Sequence, residues 1–192
     1  MPYLVAPVVP AGRMRAASQP VLRAGSLVLR PWAAGDAAVV FEAYRDPDIQ
    51  QWNLRSFGSL DEARAWIAQW ETQWQAERDG CWAVTDGAGQ VLGRVAVRGI
   101  HLMDGRGECT YWVLPAARGQ GVATAATVAV ARWALDELGL HRLSLLHATA
   151  NPASCRVAAK AGFALEGTLR SAMLHPDGWH DMHLHARVGD GV

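Results

Sequence analysis

Seven short apolar stretches, each bounded by glycine, proline or polar turn residues, predict seven β-strands. The pattern is clearest in the last stretch, where Met182, Leu184 and Ala186 alternate with other residues and so share one face. Two other stretches flank the turn Asp86–Gly89 and are expected to form a hairpin. The predicted strands are 27–32, 81–86, 91–100, 107–114, 141–149, 163–170 and 179–188.

Helical patterns separate these strands. Ser59 and Glu62 have the spacing of a capping box, and the helix that they open carries Trp66, Trp70 and Trp74 on one face. This stripe indicates either a core-facing surface or the aromatic wall of a cleft. The other predicted helices are 35–47, 121–138 and the one that Asn151 caps and Gly162 ends.

The order of these elements, β-α-α-β-β-β-α-β-α-β-β, predicts a single α/β (α+β) domain with a mixed, mostly antiparallel sheet of about seven strands flanked by helices. We expect the domain to span residues 26–188, after an irregular N-terminal arm, 1–25, and before a tail, 189–192. The stretch 46–58 is expected to be a loop, because Pro47 ends the helix before it.

Composition narrows the class of protein without assigning a function. The 192 residues suffice for one domain, and the formal net charge of zero gives no reason to expect nucleic-acid or membrane binding. The three cysteines form no CxxC pair, which favours a reducing compartment. The N-terminal stretch does not suit a signal peptide, and no apolar run reaches the roughly 20 residues of a membrane span. A cytoplasmic protein is therefore expected.

The segment ARGQGVATAA, residues 117–126, joins a predicted strand to a long apolar helix. Gly119 and Gly121 allow the backbone to curl, and the unpaired N–H groups of a helix N-terminus suit a phosphate. Arg118 adds a guanidinium beside them. The loop lacks the Lys-Ser/Thr pair of a Walker motif, and Thr124 stands where a dinucleotide fingerprint needs glycine. We therefore expect a pyrophosphate ligand that is neither a Walker-bound triphosphate nor NAD.

At this point the sequence resembles a known family. R-G-Q-G-V-A, residues 118–123, matches the acyl-CoA signature R/Q-x-x-G-x-G/A of the GNAT N-acetyltransferase superfamily. N-P-A-S-C-R-V-A-A-K-A-G-F, beginning at Asn151, matches the second half of the pattern. The resemblance covers roughly residues 25–188. It looks closest to the Rim-type (RimJ/RimL-like) ribosomal-protein N-terminal acetyltransferases and to related small-molecule acetyltransferases.

The resemblance implies how acetyl-CoA, the acyl donor, would bind. The fourth and fifth strands, 108–114 and 142–148, would splay apart in a V, and the pantetheine arm would lie between them. The remaining expected contacts fall into three groups. Backbone groups near Trp112 and Val113 would bond the arm, the amides of Gly119, Gln120, Gly121, Val122 and Ala123 with Arg118 would hold the pyrophosphate, and Asn151 and Ser154 would reach the arm or the thioester.

Acetyl transfer to an amine needs a proton acceptor and a means of stabilising the leaving thiolate. Glu108 is the candidate base, because Rim-like relatives carry a glutamate at the matching place, and it is expected to act through water. Many relatives place a tyrosine seven residues after the asparagine, where this chain has Ala158. Ser154 is therefore the candidate donor to sulfur, although a serine at that helix position is also ordinary helix chemistry.

The acceptor is either a protein N-terminus or a small-molecule amine, and the sequence leaves both open. Trp52, Arg55 and Asp181 are the candidate acceptor contacts, and the protein could be a monomer or a homodimer. Two alternatives are a GNAT-like transferase with another acyl donor and a non-catalytic acyl-CoA-binding module. His180, His183 and His185 could suggest a metal site, but His180 falls on the opposite strand face, and no metal is expected.

Overall fold

β-Strands occur at all seven places where the sequence predicts them, and an eighth precedes them. The structure is a computed structural model and describes residues 4–189, so the last three residues of the predicted tail lie outside it. The strands are β1 (Leu22–Ala24), β2 (Leu27–Pro31), β3 (Gly80–Thr85), β4 (Val91–His101), β5 (Arg106–Val113), β6 (Arg142–Ala148), β7 (Ala164–His175) and β8 (Gly178–Val188). The predicted α/β domain with a mixed sheet is confirmed, with eight strands instead of about seven.

The strands form one sheet in the order β1-β2-β3-β4-β5-β6-β8-β7. In the part of the chain that the structure describes, every neighbouring pair is antiparallel except β5 and β6. These two strands are connected by the glycine loop and the long helix, since a parallel pair needs a crossover connection. The parallel pair lies in the middle of the sheet, away from its two edges.

Five α-helices cover the sheet: α1 (Ala37–Ala43), α2 (Pro47–Asn53), α3 (Leu60–Gln75), α4 (Val122–Arg132) and α5 (Pro152–Lys160). Apolar residues of α1 and α3 form one core with Trp112, while residues of α4 and α5 form the other with β5 and β6. A π-helical turn, Trp133–Glu137, continues α4 and brings this helical segment close to its predicted end.

The helix α2 corrects one sequence prediction, because it lies in the stretch 46–58 that was expected to be a loop. Pro47 was interpreted as the end of the preceding helix, but it is the first residue of α2. Proline fits this position because the first helical N–H has no partner to lose. Asp46 caps the helix, and its carboxylate accepts a hydrogen bond from the Ile49 amide at 2.9 Å.

The N-terminal arm is also more ordered than the sequence predicts, since it includes β1. Val9 and Met14 are buried in the core. The carboxylate of Glu77 accepts the amides of Gly12 and Met14, both at 2.7 Å. Two indoles extend this attachment along the arm: Trp74 donates to the Ala17 carbonyl at 2.9 Å and Trp82 to the Pro20 carbonyl at 2.7 Å.

Candidate active site

A V-shaped gap opens in the middle of the sheet, as predicted. β5 and β6 pair only through Arg106–Glu108 and Arg142–Ser144, and they separate beyond that point. The edge of β5 that faces β6 therefore lacks a ladder partner among the described residues from Cys109 onward. A cleft of about 610 Å³ lies there, bordered by Tyr111, the glycine loop and the start of α5. Its free strand edge can hydrogen-bond an extended ligand.

The glycine loop presents a row of unpaired amides at the mouth of this cleft. Gly119 and Gly121 have φ angles of 77° and 79°, in the left-handed region that glycine adopts without strain. The first hydrogen bond of α4 runs from the Ala125 amide to the Gly121 carbonyl. Within residues 4–189, the amides from Gly119 to Thr124 have no acceptor. Together with the positive end of the helix dipole, these donors suit a phosphate or pyrophosphate.

The side chain of Arg118 borders the cleft and makes contacts that the sequence does not predict. Its guanidinium bonds the carboxylates of Asp46 at 2.6 Å and Asp48 at 2.7 Å, and its Nε donates to the Val113 carbonyl. Burial alone would raise the pKa of Asp46, but the hydrogen bonds from Arg118 and the Ile49 amide, together with the charge of Arg118, lower that pKa. Arg118 thus connects the glycine loop to α2, because this helix, which the sequence analysis missed, brings two carboxylates to it.

Two cations that the sequence analysis did not select border the same cleft. Arg156 and Lys160 are both exposed and lie one helical turn apart on α5. Their spacing of four residues, after the N-cap Asn151, is the signal that could have indicated them. They supply positive charge across the cleft from the glycine loop.

Asn151 and Ser154 lie at the inner end of the cleft and border both cavities. The Asn151 side-chain oxygen accepts the Ser154 amide at 3.1 Å, so this residue is the N-cap of α5. The hydroxyl of Ser154 lies near the hydroxyl of Tyr111 on β5, but the two do not form a complete hydrogen bond. The buried hydroxyl of Tyr111 therefore has no hydrogen-bond partner in the described chain. Burial raises the pKa of Tyr111 to about 12, and Ser154 opposes that shift. Tyr111 is a functional candidate that the sequence analysis missed.

A second cavity, of about 290 Å³, lies on the other side of the gap. Glu108 borders it and stands opposite Arg98 in the β4–β5 register. Burial raises the pKa of Glu108, and the Arg98 guanidinium opposes this shift. The carboxylate has no hydrogen-bond or ion-pair partner among the residues of known placement. It is therefore available to accept a proton from a molecule in the cavity.

The floor of this second cavity includes a buried cation. Arg94 is 4% exposed, and its guanidinium lies 5.0 Å from the ring centre of Trp70 and 5.7 Å from that of Trp66. Its Nε donates to Cys81 Sγ at 3.1 Å, but no carboxylate of residues 4–189 lies within ion-pair distance. The tryptophan stripe is thus both core and cavity wall, since both indoles are 7% exposed and border the cavity.

The three candidate acceptor contacts lie in different settings. Trp52 borders both cavities, and Arg55 borders the second. Asp181 lies outside both, because its carboxylate accepts the Ser171 amide at 2.8 Å and its carbonyl accepts the Thr149 amide. This carboxylate supports the backbone of Ser171, whose φ angle is 45°, where the register of β7 shifts. Asp181 thus has a structural role at this bulge, and its contact with an amine stays a prediction.

None of the helices in residues 4–189 is long and apolar enough to cross a membrane.

The chain is similar in sequence to two curated acetyltransferases. The chain is 25% identical over 171 residues to the uncharacterized N-acetyltransferase YoaA of Bacillus subtilis, covering 88% of this chain and 97% of the relative. It is 30% identical over 101 residues to the ribosomal-protein-serine acetyltransferase of Escherichia coli, which covers 53% and 56% of the two chains.

Solved structures show the same fold. RimL, a ribosomal alpha-N-protein acetyltransferase solved in complex with coenzyme A, aligns with a TM-score of 0.81 at 18% identity, over 89% of this chain and 99% of that one. The spermidine N-acetyltransferase of Vibrio cholerae, in complex with CoA and spermine, aligns with a TM-score of 0.76 at 20% identity, over 85% and 95%. The family profile described as acetyltransferase (GNAT) domain matches residues 26–164, so the chain belongs to the GNAT acetyltransferase family.

Proposed function

We propose that this protein transfers an acetyl group from acetyl-CoA directly to a primary amine. The observation that carries the proposal is the gap between β5 and β6. Among residues 4–189, neither the amides Gly119–Thr124 at its mouth nor the carboxylate of Glu108 at its vertex has a partner. The first feature suits the phosphates of the donor, and the second suits the proton of the acceptor.

The donor half of the site is formed by the glycine loop, β5 and α5. The loop amides hold the pyrophosphate, and Arg156 and Lys160 balance further phosphate charge. The free edge of β5 near Trp112 and Val113 hydrogen-bonds the pantetheine arm as an added strand would. Acetyl-CoA, once bound, supplies an activated thioester, so this transfer requires no metal.

The acceptor half supplies the proton chemistry. Glu108 accepts the ammonium proton of the incoming amine through a water molecule, which leaves a neutral nucleophile. A backbone N–H of the free β5 edge stabilises the charge that develops on the carbonyl oxygen. The hydroxyls of Tyr111 and Ser154 lie near each other at the inner end of the cleft and donate to the departing sulfur.

Among the possible acceptors, the second cavity favours an amine that also carries an anionic group. Arg94 is buried there without a carboxylate partner in the described chain, and Arg55 and Arg98 add positive charge. A buried charge is costly unless it is paired, so an acceptor carboxylate or phosphate would stabilise this site. A polycation such as a polyamine would be repelled. The second cavity therefore favours amino acids and acidic N-terminal peptides as acceptors.

The experiment is a thiol-release screen of amines with the purified protein and the Glu108→Gln variant. The expected result is turnover with anionic amines and N-terminal peptides, retained CoA binding in Glu108→Gln and greatly reduced turnover. Glu71→Gln, at an exposed position of α3, is the matched control. CoA binding without turnover of any amine would identify a non-catalytic module, and acceptance of another thioester in place of acetyl-CoA would identify a different donor.

The acceptor class has its own test, because an Arg94→Met variant removes the cation while keeping much of the side-chain volume. The KM for an anionic amine should rise in this variant, while the Kd for CoA stays unchanged. If the unmodified protein turned over spermidine at least as fast as any anionic amine, the assignment of an anionic acceptor would be refuted. The proposed transfer reaction would not be affected by that result.

A further inference from the structure

Four side chains from three elements meet beneath α5. His147 lies on β6, His183 and His185 lie on β8, and Cys155 lies on α5. The β6–β8 register places His147 opposite His183, and residues of even spacing share a strand face, so all three imidazoles lie on the α5 side of the sheet. One potential ligand atom from each of the four residues lies within 4.8 Å of the other three.

The hydrogen bonds of two of these histidines determine where their protons lie. Nδ1 of His147 is 2.8 Å from the Ala148 carbonyl, and Nδ1 of His185 is 3.3 Å from the Phe163 carbonyl. A carbonyl only accepts, so each Nδ1 carries the hydrogen. The two Nε2 atoms, 3.2 Å apart, therefore face each other as two lone pairs in the neutral rings. Such a contact requires a cation or a shared proton between the two rings.

The geometry of this pair fits a tetrahedral metal ion. Two nitrogens at the usual zinc distance of about 2.0–2.1 Å from a tetrahedral centre lie about 3.3 Å apart, close to the separation found here. The Nδ1–H groups bonded to carbonyls also have the arrangement that orients metal-binding histidines.

The other two side chains complete a set of four ligands. Nδ1 of His183 is buried and has no hydrogen-bond partner among residues 4–189. Cys155 has a free, half-buried thiol. A shared proton between His147 and His185 would satisfy those two rings but would leave the His183 nitrogen unpaired. Three imidazole nitrogens and one thiolate form a ligand set typical of zinc.

We propose that His147, His183, His185 and Cys155 bind a single zinc-like divalent ion. No metal is predicted from the sequence because His180 falls on the opposite strand face from His183 and His185, and His180 does lie apart from this cluster. The ion would not take part in acetyl transfer. The ion would join β6, β8 and α5. Because Cys155 directly follows Ser154, the ion would also fix the wall of the cleft that carries the sulfur-facing hydroxyl.

The test uses the full chain, stripped of metal and titrated with Co²⁺ in the absence of CoA. One equivalent should bind with a thiolate-to-cobalt charge-transfer absorption, and Zn²⁺ should displace it and raise the Tm. In Cys155→Ser the charge-transfer absorption should be lost, and in His183→Ala the Tm increase with Zn²⁺ should fall. His101→Ala, at an exposed position of β4, is the matched control and should behave like the unmodified protein.

Three results would overturn the proposal: no stoichiometric binding by the unmodified protein, unchanged cobalt absorption in Cys155→Ser, or an equal loss in His101→Ala. The first of these would identify the His147–His185 contact as a shared proton. Cys155 and His183 are only half-buried, so their variants should fold, and far-UV circular dichroism of each variant checks this.

Discussion

Glu108 stands directly opposite Arg98 across β4 and β5, and it is also the last residue of β5 that pairs with β6. The carboxylate thus lies at the vertex of the V. Its neighbour on β4 is the cationic Arg98, and β6 separates from β5 beyond this point. This position explains why burial can raise its pKa while Arg98 limits the increase.

The first prediction concerns this carboxylate. Glu108→Gln should lower kcat by about 10²-fold, a usual contribution of general-base catalysis, with little change in the Kd for CoA. The base acts only when deprotonated, so kcat/KM of the unmodified enzyme should rise with pH through the raised pKa. The midpoint of this rising limb of the pH profile should lie above the ordinary glutamate pKa of about 4.3. The limb should be absent in the variant.

Arg98 provides a control for the same assignment. Because its charge opposes the upward shift, Arg98→Met should raise the pKa of Glu108 further and move the limb to higher pH. Arg64→Met, at an exposed position of α3, should leave the limb in place. A limb that responds to neither Glu108→Gln nor Arg98→Met would belong to another group, and Glu108 would then be structural.

The second prediction concerns the glycine loop. Gly121→Val should abolish CoA binding, because a β-branched residue strains a φ angle of 79° and would reposition the amides that start α4. Gly139→Val is the matched control, since that glycine has a φ angle of 88° at an exposed position away from the cleft. Both variants should lose stability, but only the first should lose CoA affinity in calorimetry. Equal affinities would remove the loop from the donor site.

The third prediction separates catalysis from stability at Tyr111. Its buried hydroxyl has no partner in the described chain, so Tyr111→Phe should leave the Tm unchanged or raise it. The same change should lower kcat by about 10- to 100-fold, equivalent to losing one hydrogen bond to a charged group of about 1.5–3 kcal/mol. Ser154→Ala should cause a loss in the same range. Unchanged kcat in both, measured where chemistry limits turnover, would leave the sulfur without a donor from this chain.

The fourth prediction concerns the ion pair between Asp46 and Arg118. Asp46→Asn keeps an N-cap residue for α2 but removes the charge, so it should lower the free energy of unfolding at neutral pH by about 1 kcal/mol or less. The pKa of Asp46 is lower in the folded chain than in the unfolded one. The stabilisation is therefore complete above the unfolded value, near 3.9, and is lost as pH falls through the lowered pKa.

Urea unfolding at several pH values measures this effect. The difference in the free energy of unfolding between Asp46→Asn and the unmodified protein should shrink as pH falls below the ordinary aspartate pKa. Asp61→Asn removes an exposed pair with Arg64 and provides the comparison. A difference that does not vary with pH would assign the effect of Asp46→Asn to helix capping alone.

Local patterns predicted the parts of this molecule that depend on local geometry. Capping residues and glycines placed α3, α4 and α5, and the strand pattern placed seven of the eight strands, because these signals act within a few residues. The helix α2 was missed because Pro47 can end one helix or begin another. Only the three-dimensional contacts decide which applies.

Features that depend on long-range pairing were not accessible from the sequence alone. The carboxylates that bond Arg118 come from a helix some 70 residues earlier in the chain. The cluster of four side chains that includes His147 depends on the register of β6 with β8. Ala158 illustrates the same limit. It occupies the position of a family tyrosine but is fully buried in the core, so a tyrosine there would have to displace packed side chains.

The attachment of the N-terminal arm has a consequence for biosynthesis. Residues 9–20 leave the ribosome before Trp74, Glu77 and Trp82, which hold them and lie about sixty residues further along the chain. During translation the arm therefore remains undocked, with Val9 and Met14 exposed to solvent, until α3 and β3 have emerged and folded. A bulky fusion placed within residues 9–20 would compete with this late docking, whereas one placed after residue 189 would leave it free.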